Sequence, residues 1–170
     1  MAEPTHVRQW IDQLETKDFW LATSIASGWN TVWDVLRSSE EVRWLAAHGD
    51  QSVPMIVQRI RTRQIADPVL IAYFAVLAEA DDRQAIPVLI DYLESLHESE
   101  RMQVGSLMHP FIYAVLALDK IARIGVFETR PMPSATDLFV RRSDILACAR
   151  EKYRHERPAP GAGDCSLQEP

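Results

Sequence analysis

Cysteine and glycine are scarce in this chain, and long apolar runs are missing. Two cysteines, Cys148 and Cys165, occur in 170 residues. One falls in an expected helix and the other in an expected tail, which makes no disulfide framework and fits a reducing cytoplasm. Six glycines leave no place for a dinucleotide fingerprint, and neither a phosphate loop nor a Gly-x-Ser-x-Gly elbow occurs. The longest apolar run, Val69 to Ala78, has ten residues, about half of the roughly 20 that a membrane helix needs. No membrane partner is expected. Met1-Ala2-Glu3-Pro4 opens neither a basic nor a hydrophobic leader, so no secretory signal is expected. The five histidines are scattered. His97-Glu98-Ser99-Glu100-Arg101 lacks the second histidine of a zincin helix, and no Cys-x-x-Cys pair exists. Asp81-Asp82 reads as a loop followed by a cap rather than as a metal site. The chain therefore offers no catalytic residue, no metal ligand set and no cofactor.

What is present is helical periodicity, with no convincing alternation of the strand type. Thr5 is a cap for a first helix in which Val7, Trp10, Ile11 and Leu14 recur at 3-4-3 spacing. A second helix is expected over 18–27, stopped by Gly28, and a third over 31–37 with Val32, Trp33 and Leu36 on one side. Ser38-Ser39-Glu40-Glu41 puts caps before first-turn carboxylates, and that helix is expected to close at Gly49 in a left-handed conformation. Asp50 is the expected cap of the next helix, with Pro54 in the first turn, where N–H groups lack intrahelical acceptors. Asp67-Pro68 is a cap followed by proline, and the apolar run behind it is that of a helix sandwiched between neighbours. Ser99 to Leu107 and His109-Pro110 to about Gly125 are the next helices, His109 being read as a cap or core residue. An irregular insertion spans 126–142. Ser143-Asp144 then caps a last helix carrying Ile145, Leu146, Cys148, Ala149 and Tyr153, and the Pro- and Gly-rich tail from Arg157 is expected to be disordered.

A pattern occurs twice. Trp44 to Ile60, around Gly49-Asp50 and Pro54, is followed by Leu77 to Leu93, around Asp81-Asp82 and Pro87, and the two prolines lie 33 residues apart, within the spacing of helical repeats. Asp82-Arg83-Gln84-Ala85-Ile86-Pro87-Val88-Leu89-Ile90-Asp91-Tyr92-Leu93 resembles the second helix of HEAT repeats, their lyase-type subset included, and its Ile-Pro-x-Leu-Ile core is also similar to armadillo helices. The match covers roughly 40–125. The resemblance implies an all-α fold, a short right-handed α-solenoid of HEAT-like pairs over 39–63, 67–96 and 99–156. A Trp-rich helical module over 1–38 precedes it and a tail over 157–170 follows. It also implies that the second helices line a concave face that grips a macromolecule.

All five tryptophans, Trp10, Trp20, Trp29, Trp33 and Trp44, lie in the first 44 residues. They are read as covering the open end of the stack, which needs a cap, rather than as interface anchors. On the second helices the polar members Gln58, Arg59, Arg61, Asp91, Tyr92 and Glu94 should point away from the core and form a bipolar groove, able to set a partner's register through charge. Surface ion pairing between neighbouring helices explains the same residues equally well. Net charge is −6, and residues 1–100 carry eight Lys/Arg against sixteen Asp/Glu. An acidic body disfavours a nucleic-acid backbone and suits a basic protein partner or simple solubility. The cations of 120–157, Arg150 among them, read as a solvated last helix.

The expected function is a non-catalytic protein-binding module. Size and charge fit an immunity protein that neutralises a basic toxin, or an adaptor. The alternative is a HEAT-like enzyme or carrier that handles nucleic acid or a cofactor in the groove, and a third is a structural subunit of a larger assembly.

Overall fold

A computed structural model describes residues 4–17, 28–62, 64–128 and 132–155. The expected helix over 18–27, Trp20, Arg63 and the tail 157–170 lie outside these residues. Among the described residues the chain is all-α, with nine helices and no strand: α1 (Pro4–Thr16), α2 (Trp29–Ser38), α3 (Glu40–Ala47), α4 (Gly49–Thr62), α5 (Asp67–Ala80), α6 (Ile86–Ser95), α7 (Phe111–Ala122), α8 (Ala135–Val140) and α9 (Arg142–His155). None of these helices is long and apolar enough to cross a membrane.

Each helix buries the stripe that its periodicity marks. Val7, Ile11 and Leu14 of α1, Val32, Trp33 and Leu36 of α2, and Val42 and Leu45 of α3 are buried. Ser39 caps α3 by accepting the Val42 N–H at 3.4 Å, with Glu40 and Glu41 in the first turn. In α5 every residue from Leu70 to Ala78 is buried, because helices cover it on several sides. Each of Ile71, Phe74 and Leu77 contributes about 1.5–3 kcal/mol of transfer free energy.

Helices α3, α5 and α7 lie side by side with α5 in the middle. Helix α4 packs on α3 and α5, α6 packs on α7, and α9 packs on α6 and α7, while α4 also touches α6. Leu89 and Ile90 are buried, and their helix lies chiefly against α7. Ion pairs join the row at one end. Glu79 of α5 takes Arg37 of α2 at 2.5 Å and Lys120 of α7 at 2.8 Å. Asp81 and Arg123, the left-handed residues that end α5 and α7, pair at 2.5 Å.

Several local expectations are corrected. Gly49 does not close α3 in a left-handed turn; it opens α4, and the only positive-φ glycine among the described residues is Gly125. Gly49 serves close approach instead, since a Cβ there would meet the Ala80 Cβ at 3.1 Å. Asp50 lies inside α4, and Pro54 is the sixth residue of that helix, two places deeper than expected. Pro87 is the proline in a first turn, behind a 3₁₀ turn (Arg83–Ala85) that Asp82 caps by accepting the Gln84 N–H at 2.9 Å. Ser99 to Leu107 forms no α-helix but a 3₁₀ turn (Glu98–Glu100) followed by turns. Only Val104 of that stretch is buried, too little apolar surface to hold a short helix. The insertion contains α8, opened by a capping box of Ser134 and Asp137.

The four tryptophans among the described residues split between two places. Trp10 stacks on Trp44 at 5.1 Å, and Trp44 on His48 at 3.9 Å, where α1 covers α3. Trp33 instead reaches Tyr113 of α7 at 5.9 Å and Trp29 reaches Phe127 at 5.7 Å. Helix α2 therefore lies across the middle of the α3–α5–α7 row.

Candidate functional site

Gln58 and Arg61 stand one turn apart on α4, and Asp91 and Glu94 one turn apart on α6, all of them exposed. The structure brings the two pairs to one face. Arg61 and Asp91, 51% and 62% exposed, face each other at 3.6 Å. On the other side of α6, Glu94 pairs with Arg150 of α9. Three successive helices thus present guanidinium, carboxylate, carboxylate and guanidinium in order, each pair linking neighbours.

Arg59 and Tyr92 do not stand free on this face. Arg59 is turned toward α1, its side chain only 11% exposed, and it donates to Asp12 at 2.8 Å and to Glu15. Burial opposes its charge, but the hydrogen bonds to Asp12 and Glu15 outweigh that and hold it firmly protonated. The buried Tyr73 hydroxyl donates to the same Glu15 carboxylate. Burial and that carboxylate push the phenol's pKa well up. Tyr92 packs its ring on Phe74 of α5 at 5.1 Å. Burial, then Asp67 and Glu100 nearby, raise the pKa of its phenol.

Sequence reasoning missed Arg150 as a member of this face. Its signal was the outward stripe Ala147, Arg150, Glu151 and Arg154 on the last helix. The intervening segment hid which helix follows α6 in the row. His109 behaves as a cap: its Nδ1 accepts the Phe111 N–H at 3.2 Å, and burial lowers its pKa despite Asp67 and Glu100.

Open depressions elsewhere among the described residues include one lined by Glu15, Gln64, Ile65, Ala66 and Val69 and one lined by Asp34, Arg37, Ser38, Arg43 and Glu79. In both, the carboxylate of Glu15 or Glu79 already holds cations or a hydroxyl of the fold. Among the described residues no three His, Cys, Asp or Glu side chains are grouped to hold a metal ion. Compared with known protein families, curated proteins and solved structures, the chain matches none.

Proposed function

We propose that this chain is a short HEAT-like α-solenoid that binds another protein, without catalysis, through the outward faces of α4, α6 and α9. The observation that carries the reading is the continuity of that face, on which Gln58, Arg61, Asp91, Glu94 and Arg150 line up across three helices. Two rows support the repeat reading, α3–α5–α7 on one side and α4–α6–α9 on the other. Equivalent left-handed ends of α5 and α7 support it as well. Stacked helix pairs make extended binding surfaces of this kind. The net charge of −6, concentrated in the first hundred residues, favours a basic partner. Within that class the chain is an immunity protein against a basic toxin, or an adaptor, acting in the cytoplasm.

The test is capture of the tagged full chain from its native cells after cross-linking, with mass spectrometry to identify what is held and hydrogen exchange to locate it. A basic protein that protects α4, α6 and α9 is the expected result. Recovery of nucleic acid or a small cofactor in place of a protein would replace this reading with that of a carrier or enzyme.

A further inference from the structure

We propose that His109 is a pH-sensitive latch for the connection between α6 and α7: the neutral ring holds the start of α7 and residues 97–109 in place, and proton uptake releases them. The latch stands apart from whatever the chain binds.

The first N–H groups of a helix have no acceptor within it. Pro110, at the cap position of α7, offers no side-chain acceptor, and Phe111 behind it is fully buried, so water does not serve its N–H. The His109 Nδ1 accepts that N–H at 3.2 Å. A ring nitrogen that accepts carries no proton, which puts the proton of the neutral imidazole on Nε2. A second proton has to enter at Nδ1. There it turns the acceptor into a donor facing another donor, and the buried Phe111 N–H loses its partner.

The charged ring has a place to move to. Its Nε2 stands 3.9 Å from Glu100 Oε1, too far for a hydrogen bond. The other oxygen of Glu100 accepts the His97 N–H at 2.7 Å and so closes the 3₁₀ turn at the head of the connection. An imidazolium that closes the gap draws on the carboxylate that holds this turn. Asp67, at the start of α5, is the other charged group that acts on His109. Tyr92 of α6 lies beside the same two carboxylates, and burial first, then those charges, raise its phenol, so it adds no charge in the acid range. Glu98 and Arg101 pair with each other at 3.3 Å. Little else secures the connection. Val104 is the buried residue of 99–107, and the Tyr113 hydroxyl donates to the Leu107 carbonyl at 2.6 Å.

Burial lowers the His109 pKa below its ordinary value, against the pull of Asp67 and Glu100. The closed form therefore prefers the neutral ring. Its stability is complete above the ordinary histidine value of about 6.5 and is lost as pH falls through the lower value of the closed form. One proton limits that loss to about tenfold per pH unit.

The test follows the full chain by NMR from about pH 7.5 to about 4.5, a span that brackets histidine titration. It reads the His109 ring shifts and, at each pH, the hydrogen-exchange protection of the Phe111 and 98–108 amides. The ring should titrate below the ordinary histidine value, and protection should fall with it by up to about tenfold per pH unit, while the α5 amides keep theirs. His109→Asn puts an oxygen that does not titrate at the Nδ1 position, keeps the bond to Phe111, and should hold protection within about twofold over the same span. Glu100→Gln keeps an acceptor for the His97 N–H but removes the charge that favours the imidazolium, and should move the transition to lower pH. His97→Asn, at the exposed histidine of the connection, should leave the transition where it is. A ring that stays neutral throughout overturns the proposal. So does protection that stays flat while the ring titrates, or that falls equally in His109→Asn. If His109→Asn does not fold, the parent decides: coincident midpoints for the ring and the Phe111 amide sustain the latch, and separate midpoints overturn it.

Discussion

Replacing Arg59 by methionine separates holding the fold together from gripping a partner. Methionine keeps the length and apolar stem of the side chain but deletes the guanidinium. Arg59 is 11% exposed and joins α4 to Asp12 and Glu15 of α1. Glu15, 27% exposed, would lose its cation and keep only the Tyr73 hydroxyl. Hydrogen bonds to charged groups are worth about 1.5–3 kcal/mol. Asp12 is 58% exposed and returns to water, so its share is a few tenths, the low end of the range of about 0–1 kcal/mol for exposed pairs. A loss of about 2–3 kcal/mol follows, or about 4–12 °C in melting temperature for a domain of this size. Val7, Ile11 and Leu14 remain buried on α1, so the helix should stay docked but open more often. The assay is thermal unfolding by circular dichroism, with hydrogen exchange of the α1 amides. Arg61→Met is the control; its pair is 51% and 62% exposed at 3.6 Å, and its loss should be under about 0.5 kcal/mol. A double-mutant cycle with Glu15→Gln should give a coupling of about 1–3 kcal/mol. If Arg59→Met melts no lower than Arg61→Met and α1 exchanges as in the parent, Arg59 does not tie α1 to the stack.

Two further outcomes follow from the packing and the ion pairs. Leu89 is fully buried on α6, so Leu89→Ala should cost about 2–5 kcal/mol in denaturant unfolding. A cost typical of a surface change, below about 0.5 kcal/mol, would show that α6 faces elsewhere. Burial raises the Glu79 pKa, but Lys120 and Arg37 outweigh it and hold the carboxyl below its ordinary value. A carboxylate with a depressed folded pKa stabilises fully above its unfolded pKa and loses that contribution as pH falls through the folded one. The stability gap between the parent and Glu79→Gln should therefore be constant near neutrality and close on acidification below the ordinary glutamate range. A gap that persists through that range would mean that Glu79 acts through packing and not through its charge.

Much of the helical content was legible in the residues themselves. Val7, Ile11 and Leu14, or Val32, Trp33 and Leu36, announce a buried stripe because a helix repeats every 3.6 residues, and that arithmetic is local. The apolar run of α5 announced a helix with neighbours on several sides, since no amphipathic surface helix can afford it. Ser39 and Asp82 were readable as caps for the same local reason. The fate of a polar side chain was not local. Arg59 and Arg61 are two positions apart on one helix, so they point in different directions. Only the placement of α1 decided that Arg59 meets Asp12 and Glu15 while Arg61 faces Asp91. Gly49 resembled a helix stop, but its role came from the Ala80 side chain that approaches it from another helix. The tryptophans looked like one cap because they cluster in sequence; in space α1 and α2 go to different neighbours and divide them. Arg150 joined Glu94 only because α9 returns to lie beside α6. Periodicity specifies which face of a helix is buried, but the partner of each exposed charge depends on which helices pack side by side, and that is a property of the tertiary structure alone.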